Sequence, residues 1–181
     1  MLFYPKEITL KDGRTAILKS PALTDAAEML AYIKQCCGET EFLVRYPEEY
    51  SDSIEAEEAW IRGVVDSPAV LPITCYVDGR IAGSCELRFH RGIKAGHRAT
   101  VGISILRAYW DLGIGSAMFG ELIAAARAHG TEIMELDFIE GNHRARHLYE
   151  KYGFRVVAEK PRAFKLKDGT YRSEFSMQNY L

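Results

Sequence analysis

Apolar and polar positions alternate with a period of two in some stretches of the chain and recur every three to four residues in others, and the two rhythms predict its elements. From residue 80 to 89, Ile81, Gly83, Cys85, Leu87 and Phe89 alternate with Ala82, Ser84, Glu86 and Arg88, the pattern of a half-buried strand. Three Asp-Gly pairs, at 12–13, 78–79 and 168–169, each separate apolar or β-branched runs. Each predicts a hairpin closed by a two-residue type I′ turn, because Asp-Gly tolerates the positive φ angles that turn needs. The hairpins join 8–11 to 14–19, 70–77 to 80–89, and a segment near 164–167 to 170–179. Residues 99–106 and 132–139 read as two further strands.

Helical spacing appears four times. After Thr24-Asp25, with Glu28 placed as in a capping box, Met29, Leu30, Ile33, Cys36 and Cys37 fall on one face. Ser53 opens a second helix with Trp60, Ile61, Val64 and Val65 as its apolar face, ending before Pro68. A third starts near Gly115, aligns Met118, Phe119, Leu122, Ile123 and Ala126, and stops at Gly130. A fourth starts at Asn142, stacks Ala145, Leu148, Tyr149 and Tyr152, and stops at Gly153. The run from 99 to 139 is a strand–helix–strand crossover, which favours a parallel pair. The expected class is α+β: a twisted, mostly antiparallel sheet of about seven strands with one parallel pair, flanked by about four helices. No repeat, linker or low-complexity segment interrupts the 181 residues, so a single domain over 1–181 is expected.

Composition narrows the classes. Hydrophobic residues make up 48% and charged ones 27%, which suits a packed core and excludes a disordered chain. With 23 Lys plus Arg against 25 Asp plus Glu the formal charge is −2, short of the basic excess expected of a partner for nucleic acid or an anionic membrane. No stretch approaches the ~20 apolar residues of a membrane span. Met1-Leu2-Phe3-Tyr4-Pro5-Lys6 lacks the pattern of an export signal, so a cytoplasmic protein is expected, and a homodimer is compatible with its composition. Cys36, Cys37, Cys75 and Cys85 form no C-x-x-C pair and are expected as small buried side chains. Five scattered histidines add no ligand spacing, so no metal is expected.

The stretch Ile103-Ser104-Ile105-Leu106-Arg107-Ala108-Tyr109-Trp110-Asp111-Leu112-Gly113-Ile114-Gly115-Ser116 carries a strand through a short loop into a helix over two glycines. Glycine admits a ligand close to the backbone, and a helix start offers unpaired N–H groups at the positive end of its dipole. That combination binds phosphate without a lysine. A tight turn whose glycines serve geometry alone has the same spelling. A Walker loop is excluded, since Gly120 is followed by Glu121 rather than Lys. A dinucleotide fingerprint wants a small residue where Met118 stands, and the upstream hairpins supply no second crossover unit, although Asp137 imitates the ribose-binding acid. An NAD-dependent enzyme is thus a remote alternative.

The second informative stretch is Asn142-His143-Arg144-Ala145-Arg146-His147-Leu148-Tyr149-Glu150-Lys151-Tyr152-Gly153-Phe154. A glycine turn opening a helix, then a strand, then N-x-x-A-x-x-L-Y-E-K-x-G-F resembles the GNAT superfamily of acetyl-CoA-dependent N-acetyltransferases. The resemblance implies a bulge near the end of the strand at 99–106, whose backbone at Ile103, Ser104 and Ile105 would pair with the pantetheine arm. Trp110, standing where the family often has Gln or Arg, would wrap the pyrophosphate together with Asp111, Leu112, Gly113, Ile114, Gly115 and Ser116. The two strands of the crossover would splay to admit the thioester. Asn142 would hydrogen-bond the cofactor arm and Tyr149 would be the general acid, while Tyr152 is expected to pack only. Many members keep a carboxylate base on the strand matching 99–106; none is present there, so Glu86 on the neighbouring strand is the substitute, with His97 second.

The implied chemistry is acetyl transfer from acetyl-CoA directly to a primary amine: a small-molecule amine, amino acid, polyamine or protein N-terminus. An ammonium of pKa ~10.4 is neutral at pH 7 about once in ~2500, a cost near ~4.6 kcal/mol that a base must meet. A tyrosine near ~10 protonating a thiolate near ~8.5 goes uphill by only ~2 kcal/mol. No cysteine lies in either motif to carry the acetyl group. Residues 38–50 interleave Glu39, Glu41, Glu48 and Glu49 with Phe42, Tyr46 and Tyr50, which suits a cationic acceptor as well as it suits an ordinary solvated loop. A non-catalytic acyl-CoA sensor is the alternative; it would keep the glycine turn and not depend on Tyr149.

Overall fold

The alternating stretches form strands and the 3.6-periodic stretches form helices in the computed structural model, which describes residues 1–51 and 53–181. In chain order these are β1 (Lys6–Thr9), β2 (Thr15–Lys19), α1 (Ala26–Glu39), α2 (Ile54–Asp66), β3 (Val70–Val77), β4 (Arg80–Phe89) and β5 (Arg98–Ile105). There follow α3 (Ile114–His129), β6 (Ile133–Ile139), α4 (His143–Lys151), β7 (Arg155–Lys165) and β8 (Tyr171–Tyr180). The strands make one sheet in the order β1-β2-β3-β4-β5-β6-β8-β7, eight rather than about seven because the first hairpin contributes two strands. Among the described residues, β5–β6 is the one parallel pair.

All three Asp-Gly pairs close hairpins, but only Asp78-Gly79 has positive φ at both residues, 50° and 76°, as a type I′ turn requires. At the other two only the glycine is left-handed, and the aspartate points forward instead. Asp12 Oδ1 accepts from Arg14 N–H at 3.1 Å and Asp168 Oδ1 from Thr170 N–H at 2.8 Å, which fixes three-residue loops. The capping box expected at Asp25 and Glu28 does not form. Asp25 accepts from Ala22 N–H at 2.8 Å and from the Tyr76 hydroxyl at 2.5 Å, and Glu28 accepts from Ile81 N–H at 3.0 Å, so both carboxylates tie α1 to the β3–β4 hairpin. Ser53 does cap α2, accepting from Ala56 N–H at 3.1 Å. The buried stripe of α2 runs through Ile61 and Val64; Trp60 lies on its flank and remains 43% exposed, outside the core where it was expected.

Helices on the two sheet faces define two cores. Met118, Phe119, Leu122 and Ala126 of α3 bury against Leu87, Ala99, Met134 and Met177. On the other face Met29 and Tyr32 of α1 and Ile61 of α2 cover Tyr76, Ile81 and Leu106. Between these layers the parallel pair comes apart. β5 and β6 are in register only at 98–100 against 133–135, after which β5 follows β4 to Ile105 and β6 follows β8 to Ile139. The closed end is held by Arg98 paired to Glu135 and by His90 Nε2 2.7 Å from Thr100 Oγ1. The open end is a wedge. The bulge expected on β5 is absent: its register with β4 is continuous from Gly83↔Ile105 to Phe89↔Ala99, and the irregularity lies in β3–β4 at Cys75/Tyr76. No bulge is needed to free that edge of β5, because β6 has already left it.

All four cysteines are buried, as their sequence context predicts. Burial pushes the Cys36 and Cys75 thiols up to about 12, and raises Tyr76 and Tyr149 as well. An unfolded chain loses thiol protons near ~8.5, whereas the folded chain keeps them, so above that pH the unfolded state binds fewer protons and stability falls as pH rises. The contribution is intact below ~8.5 and is lost progressively toward 12, on the order of 2 kcal/mol per thiol by pH 10. The urea midpoint under reductant is therefore expected to drop between pH 8 and pH 10. An unchanged midpoint would contradict this account.

Candidate active site

The wedge opens into a cavity of about 490 Å³. One wall is the bend between β5 and α3. Gly113 adopts φ 96°, a left-handed conformation that turns the chain sharply into the helix. The bend is braced on three sides. Leu112 O accepts from Lys11 N–H at 3.0 Å, Trp110 Nε1–H donates to Ile105 O at 2.8 Å, and the Trp110 ring lies under the Arg144 guanidinium at 4.7 Å. From α4, Lys151 Nζ donates to Ser116 Oγ at 3.1 Å and the Tyr152 hydroxyl to Ser116 O at 2.6 Å. Tyr152 thus anchors the first turn of α3, a role beyond the packing expected of it.

Within this brace the N–H groups of residues 111–116 have no acceptor among the described residues. The first turn of α3 contains no acidic residue, while Lys11, Arg144 and Lys151 line the same wall. Unpaired donors, a helix start and three cations make an anion site. Asp111, the one carboxylate there, is ion-paired to Arg144.

β5 supplies more donors. Its Leu106 N–H reaches Ala82 O on β4, whereas His97 O accepts from Glu132 and Ile133 on the β6 side. Backbone groups alternate along a strand, so Ile103 and Ile105 turn their N–H groups into the wedge. Trp110 occupies the Ile105 carbonyl, leaving the N–H exposed to a ligand.

α4 closes the far side. Asn142 caps it, Oδ1 accepting from Ala145 N–H at 3.2 Å, which leaves the Nδ2 amide to donate toward the cavity. Tyr149 is 6% exposed, its ring 5.4 Å from Phe119, 6.2 Å from Phe138 and 6.3 Å from Phe154. Its hydroxyl has no hydrogen-bond partner among the described residues, and burial keeps the phenol protonated well past its ordinary range. The side chain lines the cavity.

The opposite rim is the segment after α1. Thr40, Phe42, Leu43 and Val44 line it beside Cys36 and Glu39. This roof is pinned twice. Phe42 packs on Gly141, whose Cβ, if present, would sit 3.5 Å from the ring, and Lys167 of the β7–β8 hairpin pairs with Glu48 and lies 4.2 Å over Tyr46. Cys36 faces the cavity, yet its thiol, pushed up to about 12, supplies no nucleophilic thiolate at neutral pH.

The structure brings together Ile103, Ser104, Ile105, Trp110, Asp111, Gly113, Ile114, Gly115, Ser116, Asn142 and Tyr149 around one cavity. Leu112 and Glu86 do not line it. Leu112 packs against the α3 core, and the Glu86 carboxylate turns to Arg88 at 2.8 Å. Besides Glu39 on the roof and Asp111 at the bend, the cavity is lined by Asp137, on β6 where the wedge opens, with Oδ1 accepting from the Ser176 hydroxyl at 2.5 Å. Sequence reasoning passed over it as a base. Its signal was a carboxylate two residues beyond Glu135, between Leu136 and Phe138 near the end of the strand that splays.

Known proteins share this fold. A structure of a GNAT-family acetyltransferase from Streptococcus pneumoniae superposes with a TM-score of 0.84 at 24% identity, covering 92% of this chain and 99% of that one. The structure of yncA, a putative acetyltransferase from Salmonella typhimurium with its cofactor acetyl-CoA, gives 0.75 at 18% identity over 92% and 94% of the two chains. In sequence, the L-amino acid N-acetyltransferase AaaT of Escherichia coli is 23% identical over 136 residues, 72% of this chain and 83% of that protein. The profile of the acetyltransferase (GNAT) family matches residues 36–154. That span runs from Cys36 at the cavity roof, through the wedge and the bend, to the turn after α4, so what the family shares is the region that builds the cavity, and the chain belongs to the GNAT family of acetyltransferases.

Proposed function

We propose that the chain is a single-domain N-acetyltransferase that moves an acetyl group from acetyl-CoA directly to a primary amine. The observation that carries this reading is the row of unpaired N–H groups at 111–116 opening onto the same cavity as the Tyr149 hydroxyl. Three features fit an acyl-CoA: donors and cations for a diphosphate, a strand edge at Ile103 and Ile105 for an amide-bearing arm, and a wedge for the thioester. The acetyl-CoA carried by the Salmonella neighbour and the N-acetyltransferase name of the E. coli relative support the same donor and reaction.

In this reading the residues 111–116 hold the diphosphate by backbone donors, assisted by Lys11, Arg144 and Lys151. Asn142 and the edge of β5 orient the arm. The Ile105 N–H faces the position where the carbonyl oxygen gains charge, a contribution typically of ~3–4 kcal/mol. Asp137 takes a proton from the incoming ammonium and passes it to solvent. The amine nitrogen then bonds to the acetyl carbon as the carbon–sulfur bond breaks. Tyr149 gives its proton to the departing sulfur, and the second proton released from nitrogen restores it.

Titration calorimetry with acetyl-CoA and thiol release over a panel of amines test the proposal together. Binding and amine-dependent release are expected; binding with no release for any amine would make the chain a sensor instead. Asp137→Asn keeps the acceptor for Ser176 but cannot take a proton. Its kcat/KM is expected to fall ~100-fold to ~1000-fold at pH 7 with acetyl-CoA affinity within twofold. The deficit should shrink toward pH 9.5, as solution supplies more neutral amine. A small loss that does not vary with pH would remove Asp137 from the base role.

A further inference from the structure

The charged lining of the cavity is divided between its two ends. Around the helix start it is largely cationic: Lys11, Arg144 and Lys151, with Asp111 neutralised by Arg144. Beneath the roof it is anionic, Glu39 and Asp137, set among Phe42, Leu43, Val44 and Val101. Three cations outside that lobe's lining are already engaged. Arg107 donates to Glu39 O and lies 5.5 Å over Trp110, Lys160 holds Glu174 at 2.6 Å, and Lys167 holds Glu48.

An ammonium entering the roofed lobe meets apolar walls and two carboxylates, Asp137 and Glu39, the latter already accepting from Gln35 Nε2 at 2.8 Å and Arg107 N–H at 2.6 Å. A carboxylate carried next to that ammonium would sit beside two like charges, and among the described residues no Lys or Arg lines the lobe to pair with it. The 490 Å³ must also admit the thioester, which leaves the lobe to a small molecule. From this lining we infer that the acceptor is a small primary amine on an apolar body with no carboxylate beside the amine, an arylalkylamine rather than an amino acid. The inference rests on the transfer reading above and goes further, since the E. coli relative is named for L-amino acids.

Phenethylamine and phenylalanine differ only in the carboxylate and make the test. In thiol-release assays with the full chain and acetyl-CoA, kcat/KM for phenethylamine is expected to exceed that for phenylalanine on the order of 100-fold. Val44 is 70% exposed at the lobe's rim, so Val44→Arg adds a cation where the chain can carry one. It is expected to narrow that ratio at least ~10-fold, through faster phenylalanine turnover, with acetyl-CoA affinity unchanged. Equal or faster turnover of phenylalanine by the unmodified protein overturns the inference and leaves the transfer reading standing. Turnover of neither, with release from another amine of the panel, overturns this inference alone; release from no amine at all, with acetyl-CoA still bound, overturns the transfer reading as well.

Discussion

Gly115→Val is expected to weaken acetyl-CoA binding about 30-fold, equivalent to ~2 kcal/mol, and to lower the melting temperature by roughly 3–9 °C. A Cβ at this position would lie 3.0 Å from Leu148 Cδ2 and 3.4 Å from Ile105 Cδ1. Space over this glycine is filled by α4 and β5, so the residue sets how closely α3 may lie against α4. Valine adds two methyl groups beyond that Cβ and must push Leu148 outward. Lys151 at the end of α4 and Tyr152 just past it are the residues that hold Ser116, so the displacement reaches the unpaired N–H groups directly. Gly115→Ala should give a smaller loss, since the Leu148 methyl is the mobile end of a side chain. Gly120 on the same helix has nothing within 4 Å of its Cβ position, and Gly120→Ala should leave binding intact. Differential scanning fluorimetry with calorimetric titration separates these outcomes. Wild-type affinity in Gly115→Val would show that the α3–α4 spacing does not shape the site.

That spacing illustrates where the sequence was legible and where it was not. Period and caps locate α3 and α4 to within a residue, because Gly113, Gly130 and Asn142 act through their own backbone or the next turn. Local signals of this kind are written in adjacent residues. The Asp-Gly pairs are read correctly as hairpins for the same reason, but the turn type depends on whether the aspartate bonds forward, a competition the dipeptide does not encode. Asp25 and Glu28 have the spacing of a local cap and are drawn instead to Tyr76 and Ile81, about fifty residues away in sequence. Tertiary partners outbid the local ones there.

The acid near the wedge was hidden by the same kind of distance. Glu86 and Asp137 are both carboxylates on strands, and spacing alone cannot separate them. What separates them is the parting of β5 from β6 after Thr100 and Glu135, which opens the sheet at Asp137, whereas β4 and β5 stay zipped beside Glu86. Trp110 is a similar case. A tryptophan where the family resemblance implies Gln or Arg reads as a lost polar contact, yet its indole N–H donates to Ile105 O and its ring seats Arg144. The polar function is kept at the ring's edge, and the bend is held by a side chain that also shields it from water.

Tyr149→Phe is expected to cut kcat ~100-fold to ~1000-fold while acetyl-CoA affinity stays within twofold and the melting temperature holds or rises. The last clause distinguishes a catalytic phenol from a packing one. The ring is buried among Phe119, Phe138 and Phe154, whereas the hydroxyl finds no partner among the described residues and opens to the cavity, so its removal takes no hydrogen bond from the fold. Packing alone would be served as well by phenylalanine. Burial raises the phenol, which on its face makes it a poorer acid. The thiolate it serves would leave into the same apolar wedge and be raised for the same reason, so the gap between the two stays near the ~2 kcal/mol of the free groups. Because the phenol remains protonated, kcat should show no falling limb from this group below pH ~10. Tyr152→Phe is the contrast: losing the bond to Ser116 O should lower stability by about 1 kcal/mol and weaken acetyl-CoA binding, with kcat little changed. Full turnover by Tyr149→Phe would return this side chain to the core, and the proton for sulfur would then have to come from elsewhere.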